Sequence, residues 1–155
     1  MMLSREKITK FVGTGEIAIA PFNEDMLKDA SYTFTLGKGL KKLKETQFID
    51  SRLDKQIFED FDIGDDGYLM QPGEFLIAHT EEVLRLNKGF ACILSVRGSR
   101  GQMGLDALGS ELFCEPNSEG GWNGQLMLEM MNRGPYPIKL FPGIKIVKGI
   151  FFHLP

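Results

Sequence analysis

Residues 111–132, ELFCEPNSEGGWNGQLMLEMMN, decide the fold. They read as a short strand, a Glu-Pro turn, a glycine-rich bend closed by Trp122, and a second strand that carries one carboxylate, Glu129, among methionines. A strand turns alternate side chains to opposite faces. Leu126, Leu128 and Met130 therefore point one way, and Gln125, Met127, Glu129 and Met131 the other. Glu129 is expected to have Met127 and Met131 as its neighbours on one face. A carboxyl group kept among apolar side chains has its ionised form disfavoured, the tuning that a general acid–base needs near neutral pH. The plain alternative is a half-exposed strand glutamate covered by flexible methionine side chains.

The same alternation extends outward from this stretch. Ser4 can cap a helix through about Val12, with Gly13 just past its end. Ile17 and Ile19 alternate with alanines as a strand that stops at Pro21, and Ser31–Leu36 alternates Tyr32, Phe34 and Leu36 with Ser31, Thr33 and Thr35. Residues 37–66 are the least legible, with short strands expected at Phe48-Ile49 and Ile57-Phe58 between polar loops. Asp65-Asp66-Gly67 is a turn before Tyr68–Met70. Gln71-Pro72-Gly73-Glu74 has the Pro-Gly pair of a type II turn, and Phe141-Pro142-Gly143-Ile144 repeats it. Strands follow at Phe75–Thr80, Phe90–Val96, Ile138–Phe141 and Ile144–Phe152. About ten short strands with one N-terminal helix suit a jelly roll or related β-barrel.

The 155 residues fit one domain spanning 1–155. Apolar residues make up 43% and charged residues 25%, and 18 Gly with 7 Pro fit a turn-rich, mainly β chain. A net charge of −3 gives no electrostatic footprint for a nucleic-acid polymer. The basic cluster Lys38, Lys41, Lys42 and Lys44 is expected in a solvated polar loop. No apolar run is long enough to cross a membrane as a helix, and the charged start MMLSREKITK does not read as a signal peptide. Cys92 lies in an apolar run, far from Cys114 and with no CxxC. A buried free thiol in the cytoplasm is the simplest expectation.

Arg97-Gly98-Ser99-Arg100-Gly101-Gln102-Met103-Gly104 follows directly on a strand. Its glycines free backbone N–H groups for an anion, Ser99 adds a hydroxyl, and Arg97 and Arg100 add charge-assisted donors, the material of a phosphate site. The P-loop pattern is absent, and Gly and Ser also serve as plain turn residues. The two histidines, His79 and His153, lack the spacing of a zinc site or of the zinc nucleobase deaminases, so packing or surface roles are expected. Neither a nucleophile elbow nor a Rossmann glycine fingerprint occurs.

Six ordered segments resemble the dCTP deaminase and dUTPase-like family over nearly the full length. ASYTFTLG at 30–37 is similar to its ASYDLTLG strand, and YLMQPGEFLIAHTEE at 68–82 to its LxPGEFxLAxTxE segment. Arg97–Leu105 looks like its RSSLARLGL phosphate segment, and Glu115-Pro116 with Gly121-Trp122-Asn123-Gly124 like its IDPGWxG turn. Leu128-Glu129 matches its LE, and Leu140-Phe141-Pro142-Gly143 its LxPG. The resemblance implies a dUTPase-like jelly roll of β-clip type and a homotrimer with nucleotide sites at subunit boundaries. It also implies a metal-free deamination, Mg²⁺ arriving only with the substrate's triphosphate. Glu129 would be the catalytic proton shuttle as water attacks C4 of cytosine and ammonia leaves. Arg97, Ser99, Arg100 and Gln102 would lie along the phosphates, Glu115 would touch the deoxyribose, and Trp122 and Glu111 would line the base pocket.

The chain also departs from that pattern. Gly98 replaces the first Ser of RSS, and Gln102 replaces an Arg. The turn after Pro116 is longer by Asn117-Ser118-Glu119-Gly120. Glu111 stands where the family has a small residue and is expected to crowd the base. The sequence stops at Pro155, before the family's C-terminal arm, and lower triphosphate affinity is the expected result. Three functions stay open: dCTP deamination to dUTP and ammonia, dUTP hydrolysis with Glu115 activating water, and a catalytically degenerate nucleotide-binding or structural homologue.

Overall fold

The computed structural model describes residues 1–53, 58–109, 113–114 and 121–155. Helix α1 (Arg5–Thr14) starts where the Ser4 side chain accepts from the Lys7 N–H, and it buries Ile8. It runs past Gly13 and ends at Gly15, whose φ of 80° provides the left-handed cap. The expected stop at Val12 is therefore corrected: Gly13 is tolerated inside the helix, and the positive φ is needed at Gly15.

The strands are β1 (Ile17–Ala20), β2 (Tyr32–Leu43), β3 (Phe58–Asp62), β4 (Tyr68–Met70), β5 (Phe75–Leu86), β6 (Phe90–Val96), β7 (Leu105–Asp106), β8 (Phe113–Cys114), β9 (Trp122–Asn132), β10 (Ile138–Leu140) and β11 (Lys145–His153). One helical turn, α2 (Gly98–Gln102), joins β6 to β7 where the sequence offered phosphate-site or plain turn residues. The large antiparallel sheet runs β7-β9-β5-β2-β11-β6-β8, with β1 also pairing β5 and β3 pairing β2; β4 and β10 form a separate ribbon. Both Pro-Gly turns form as expected, with φ of 79° at Gly73 and 84° at Gly143.

Two expectations for 37–66 need correction. Lys38, Lys41 and Lys42 lie in β2 rather than in a loop, paired with Asp62, Asp60 and Glu74. Lys41 lies opposite Asp60 in the β2–β3 register, so opposite charges meet across the ladder. Phe48 and Ile49 form no strand and are exposed. β3 begins at Phe58, while Ile57 lies outside the described residues.

The alternation expected for β9 holds: Leu126, Leu128 and Met130 are buried in the core. Tyr32, Phe34 and Leu36 of β2, Leu76 and Ala78 of β5, and Phe151 of β11 join them. The ladders break together around His79–Glu82. There β5 shifts register against both β9 and β2. The backbone groups freed by the shift are met by side chains. Leu126 N donates to Thr80 Oγ1 at 3.0 Å, and Thr80 Oγ1 donates to the Glu82 carbonyl at 2.8 Å. The buried Glu82 carboxylate accepts from Thr35 N at 2.9 Å and from Thr35 Oγ1 at 2.8 Å.

Candidate functional site

Glu129 sits in the middle of β9, between the buried Leu128 and Met130, with its side chain on the opposite, outer face of the sheet. Across the ladder it faces Ile77 of β5, and Phe75 faces Met131. Ile77 is only 7% exposed, and Phe75, Met127 and Met131 are half-buried. Glu129 thus shares its face with Met127 and Met131, as the alternation predicted.

A segment after β7 returns over it. Leu105 and Asp106 pair with Asn132 and Met131. Asp106 Oδ1 accepts from Leu108 N at 3.0 Å, and its Oδ2 lies 2.7 Å from Arg133 Nη2. This Asp-led turn, a common way for a side chain to shape its own backbone, delivers Gly109 onto Glu129. A Cβ built at Gly109 would lie 2.2 Å from Glu129 Oε2 and 2.6 Å from Glu129 Cβ. Sequence reasoning missed Asp106, Arg133 and Gly109. The signal available was an Asp two residues before Leu108 in a run ending in glycine.

The phosphate candidates occupy α2 and its approach. Arg97 is half-buried at the start of α2, and its N–H donates to the Ile146 carbonyl at 3.0 Å. Ser99 and Gln102 are exposed. Arg100 donates from Nε to the Lys145 carbonyl at 2.8 Å, so one of its donors is committed to anchoring α2 on β11. Between α2 and the end of β9 lies a pocket of about 290 Å³ lined by Val96, Gly101, Gly104, Leu105, Asp106 and Arg133.

Trp122 lies elsewhere. It opens β9 opposite Leu86 and packs against the core, with Nε1 buried and lacking a hydrogen-bond partner. Seven residues of strand, about 23 Å at the usual rise, separate it from Glu129. Glu111 and Glu115 lie outside the described residues. One chain therefore brings α2, β7 and Glu129 to one side of the sheet and does not bring Trp122 to them.

His79 shares the outer face with Ile77 and lines a groove of about 640 Å³ with Lys38, Asp62, Glu81 and Gln125. Burial, and then the nearby Lys41 charge, hold its pKa below the ordinary 6.5. Among the described residues no cluster of three or more His, Cys, Asp or Glu side chains is placed to hold a metal ion. No described helix is long and apolar enough to cross a membrane.

The sequence model of the dCTP deaminase-like family matches residues 2–154. The chain belongs to the dCTP deaminase-like family. A relative named "dCTP deaminase, dUMP-forming" from Hydrogenobaculum sp. is 30% identical over 160 residues, covering 99% of this chain and 83% of the relative. One of the same name from Streptomyces avermitilis is 30% identical over 161 residues, covering 99% and 81%. Among solved structures, the 2′-deoxycytidine 5′-triphosphate deaminase from Agrobacterium tumefaciens superposes with a TM-score of 0.70 at 18% identity, over 97% of this chain. The chain spans about half of that protein's length, 48%. A dUTPase from Streptococcus mutans gives a TM-score of 0.54 at 14% identity, covering 90% of this chain and 95% of that one. These likenesses establish the expected dUTPase-like, mainly β fold.

Within this dCTP deaminase-like chain the family-like segments divide by job. ASYTFTLG supplies Thr35, and HTEE supplies Thr80 and Glu82, so together they build the register break. The two Pro-Gly segments make turns. The other matched segments carry α2 and Glu129.

Proposed function

We propose that the protein is a dCTP deaminase, converting dCTP and water to dUTP and ammonia. The carrying observation is the Glu129 carboxyl, opposite Ile77 on β5 and closely approached by Gly109. A carboxyl so held can take a proton from the water that attacks C4 and return it to the pyrimidine ring. The 4-amino group then leaves as ammonia, and Glu129 ends as it began. Arg97, Ser99, Arg100 and Gln102 lie along the triphosphate, which arrives with Mg²⁺ as part of the substrate. Glu115 meets the deoxyribose, and Trp122 and Glu111 bound the base pocket. Because one chain leaves Trp122 far from Glu129, the complete site is assembled across subunits of a homotrimer.

The relatives' printed name favours a second product, dUMP, through hydrolysis of the triphosphate on the same protein, with Glu115 as the carboxylate that activates water. Incubation with dCTP and Mg²⁺, followed by assay for ammonia and separation of nucleotides, distinguishes the outcomes. Ammonia with dUTP supports the first reading, and ammonia with dUMP and pyrophosphate supports the second. No ammonia from a chain that binds dCTP rejects both; dUMP and pyrophosphate from added dUTP then give a dUTPase, and no product from either nucleotide leaves a degenerate homologue. Glu129→Gln is expected to abolish ammonia release while dCTP affinity stays within a few-fold. Normal turnover in that variant removes Glu129 from the mechanism.

A further inference from the structure

The two cysteines, far apart in sequence, are directly opposed in the fold. Cys92 of β6 and Cys114 of β8 are register partners in an antiparallel pair. Both are free thiols and both are buried, at 0% and 1% exposure. Directly opposed residues of antiparallel strands have Cα atoms about 4.5–5.5 Å apart, inside the span that a disulfide requires. Cys92 Sγ is confined on its other side, since a Cβ at Gly149 would come to 2.8 Å from it. The two thiols also interact. Burial first, and then the hydrogen bond with Cys114, push the Cys92 thiol well above its ordinary pKa.

We propose that Cys92 and Cys114 form an intramolecular disulfide by exchange with a small-molecule disulfide such as oxidised glutathione, and that this bond locks β8 onto β6. The inference stands apart from the proposed deamination. Among the described residues β8 has two residues and ends the strand order of the sheet, so local opening that exposes Cys114 breaks few of the described ladder bonds. The Cys114 thiolate attacks one sulfur of the small disulfide, forming a mixed disulfide and releasing one small thiol. The Cys92 thiolate then attacks Cys114 Sγ and releases the second small thiol. Two protein thiols are oxidised and one small disulfide is reduced to two thiols, which carry away both protons.

The ring so closed contains the end of β6, α2, β7 and Gly109. It ends at Cys114, next in sequence to Glu115. Oxidation would therefore tie both ends of the segment that carries the phosphate candidates and the glycine covering Glu129.

The test treats the native full chain with oxidised glutathione, followed by intact mass, thiol titration and peptide mapping. The expected result is a loss of two hydrogen atoms, no free thiol, and a cross-linked peptide pair containing Cys92 and Cys114. The Tm should rise by roughly 5–10 °C and fall back on adding dithiothreitol. Cys114→Ala should show no such rise; if that variant does not fold, the wild-type peptide map decides. Two thiols still titrating, a persistent glutathione adduct, or a bridge between two chains each overturns the proposal. A 92–114 bridge that leaves Tm unchanged overturns the locking role.

Discussion

At Gly109 a single hydrogen atom decides whether Glu129 can keep its place. Replacing it by a methyl group puts carbon 2.2 Å from Oε2 and 2.6 Å from Cβ of Glu129, at a φ of +36° that side chains disfavour. Gly109→Ala is expected to lower stability by about 1–3 kcal/mol by urea unfolding. In a Glu129→Gly background the same change should cost clearly less, because the Glu129 Cβ and every atom beyond it are gone; additive effects would place the clash elsewhere. His79 makes the second residue-scale prediction. Its folded pKa lies below 6.5 through burial and then Lys41, so below pH 6.5 the unfolded chain binds more protons at this side chain than the folded one. Stability is therefore lost as pH falls from 6.5 toward the folded value. His79→Asn should flatten that part of the acid limb in urea midpoints measured against pH, and an unchanged limb would deny the shift.

The register break on β5 is where sequence motif and element geometry meet. Thr35, Thr80 and Glu82 hold the break by hydrogen bonds to groups that the ladder leaves unpaired, and Glu82 is 4% exposed. Glu82→Ala leaves the half-buried Thr35 N–H and hydroxyl without their acceptor. A loss of about 2–4 kcal/mol is expected in urea unfolding, and a loss below about 1 kcal/mol would show that the break supports itself. The break also explains what could be read in advance. β9 was legible because one face is wholly apolar and the other is not, and the Pro-Gly turns because few other dipeptides suit their backbone. Lys38–Leu43 was illegible for the opposite reason. Its lysines are settled by Asp60 and Asp62 on β3 and by Glu74 in the Pro-Gly turn before β5, a pairing that no local periodicity reveals. The carboxylate of the candidate site was visible, while its cover at Gly109 depended on β7 pairing with the far end of β9.

At the scale of the molecule, the outer face around Glu129 carries the half-buried Phe75, Met127 and Met131 beside the buried Ile77. The proposed homotrimer covers this face and brings another subunit's groups to Glu129. Light scattering at micromolar concentration should give three times the chain mass, and a monomer would remove the basis for shared sites. A mixing experiment tests the sharing itself. Glu129→Gln and Trp122→Ala chains, each inactive alone, are unfolded, combined in equal amounts and refolded. If a site draws Glu129 from one subunit and Trp122 from the next, random assembly leaves about a quarter of the sites with both groups intact. Ammonia release should then recover to about a quarter of the wild-type rate. If both groups act within one chain, every site in the mixture carries a defect and activity stays absent. Recovery therefore depends on where the subunit boundary falls relative to the two ends of β9, which single-chain substitutions alone do not report.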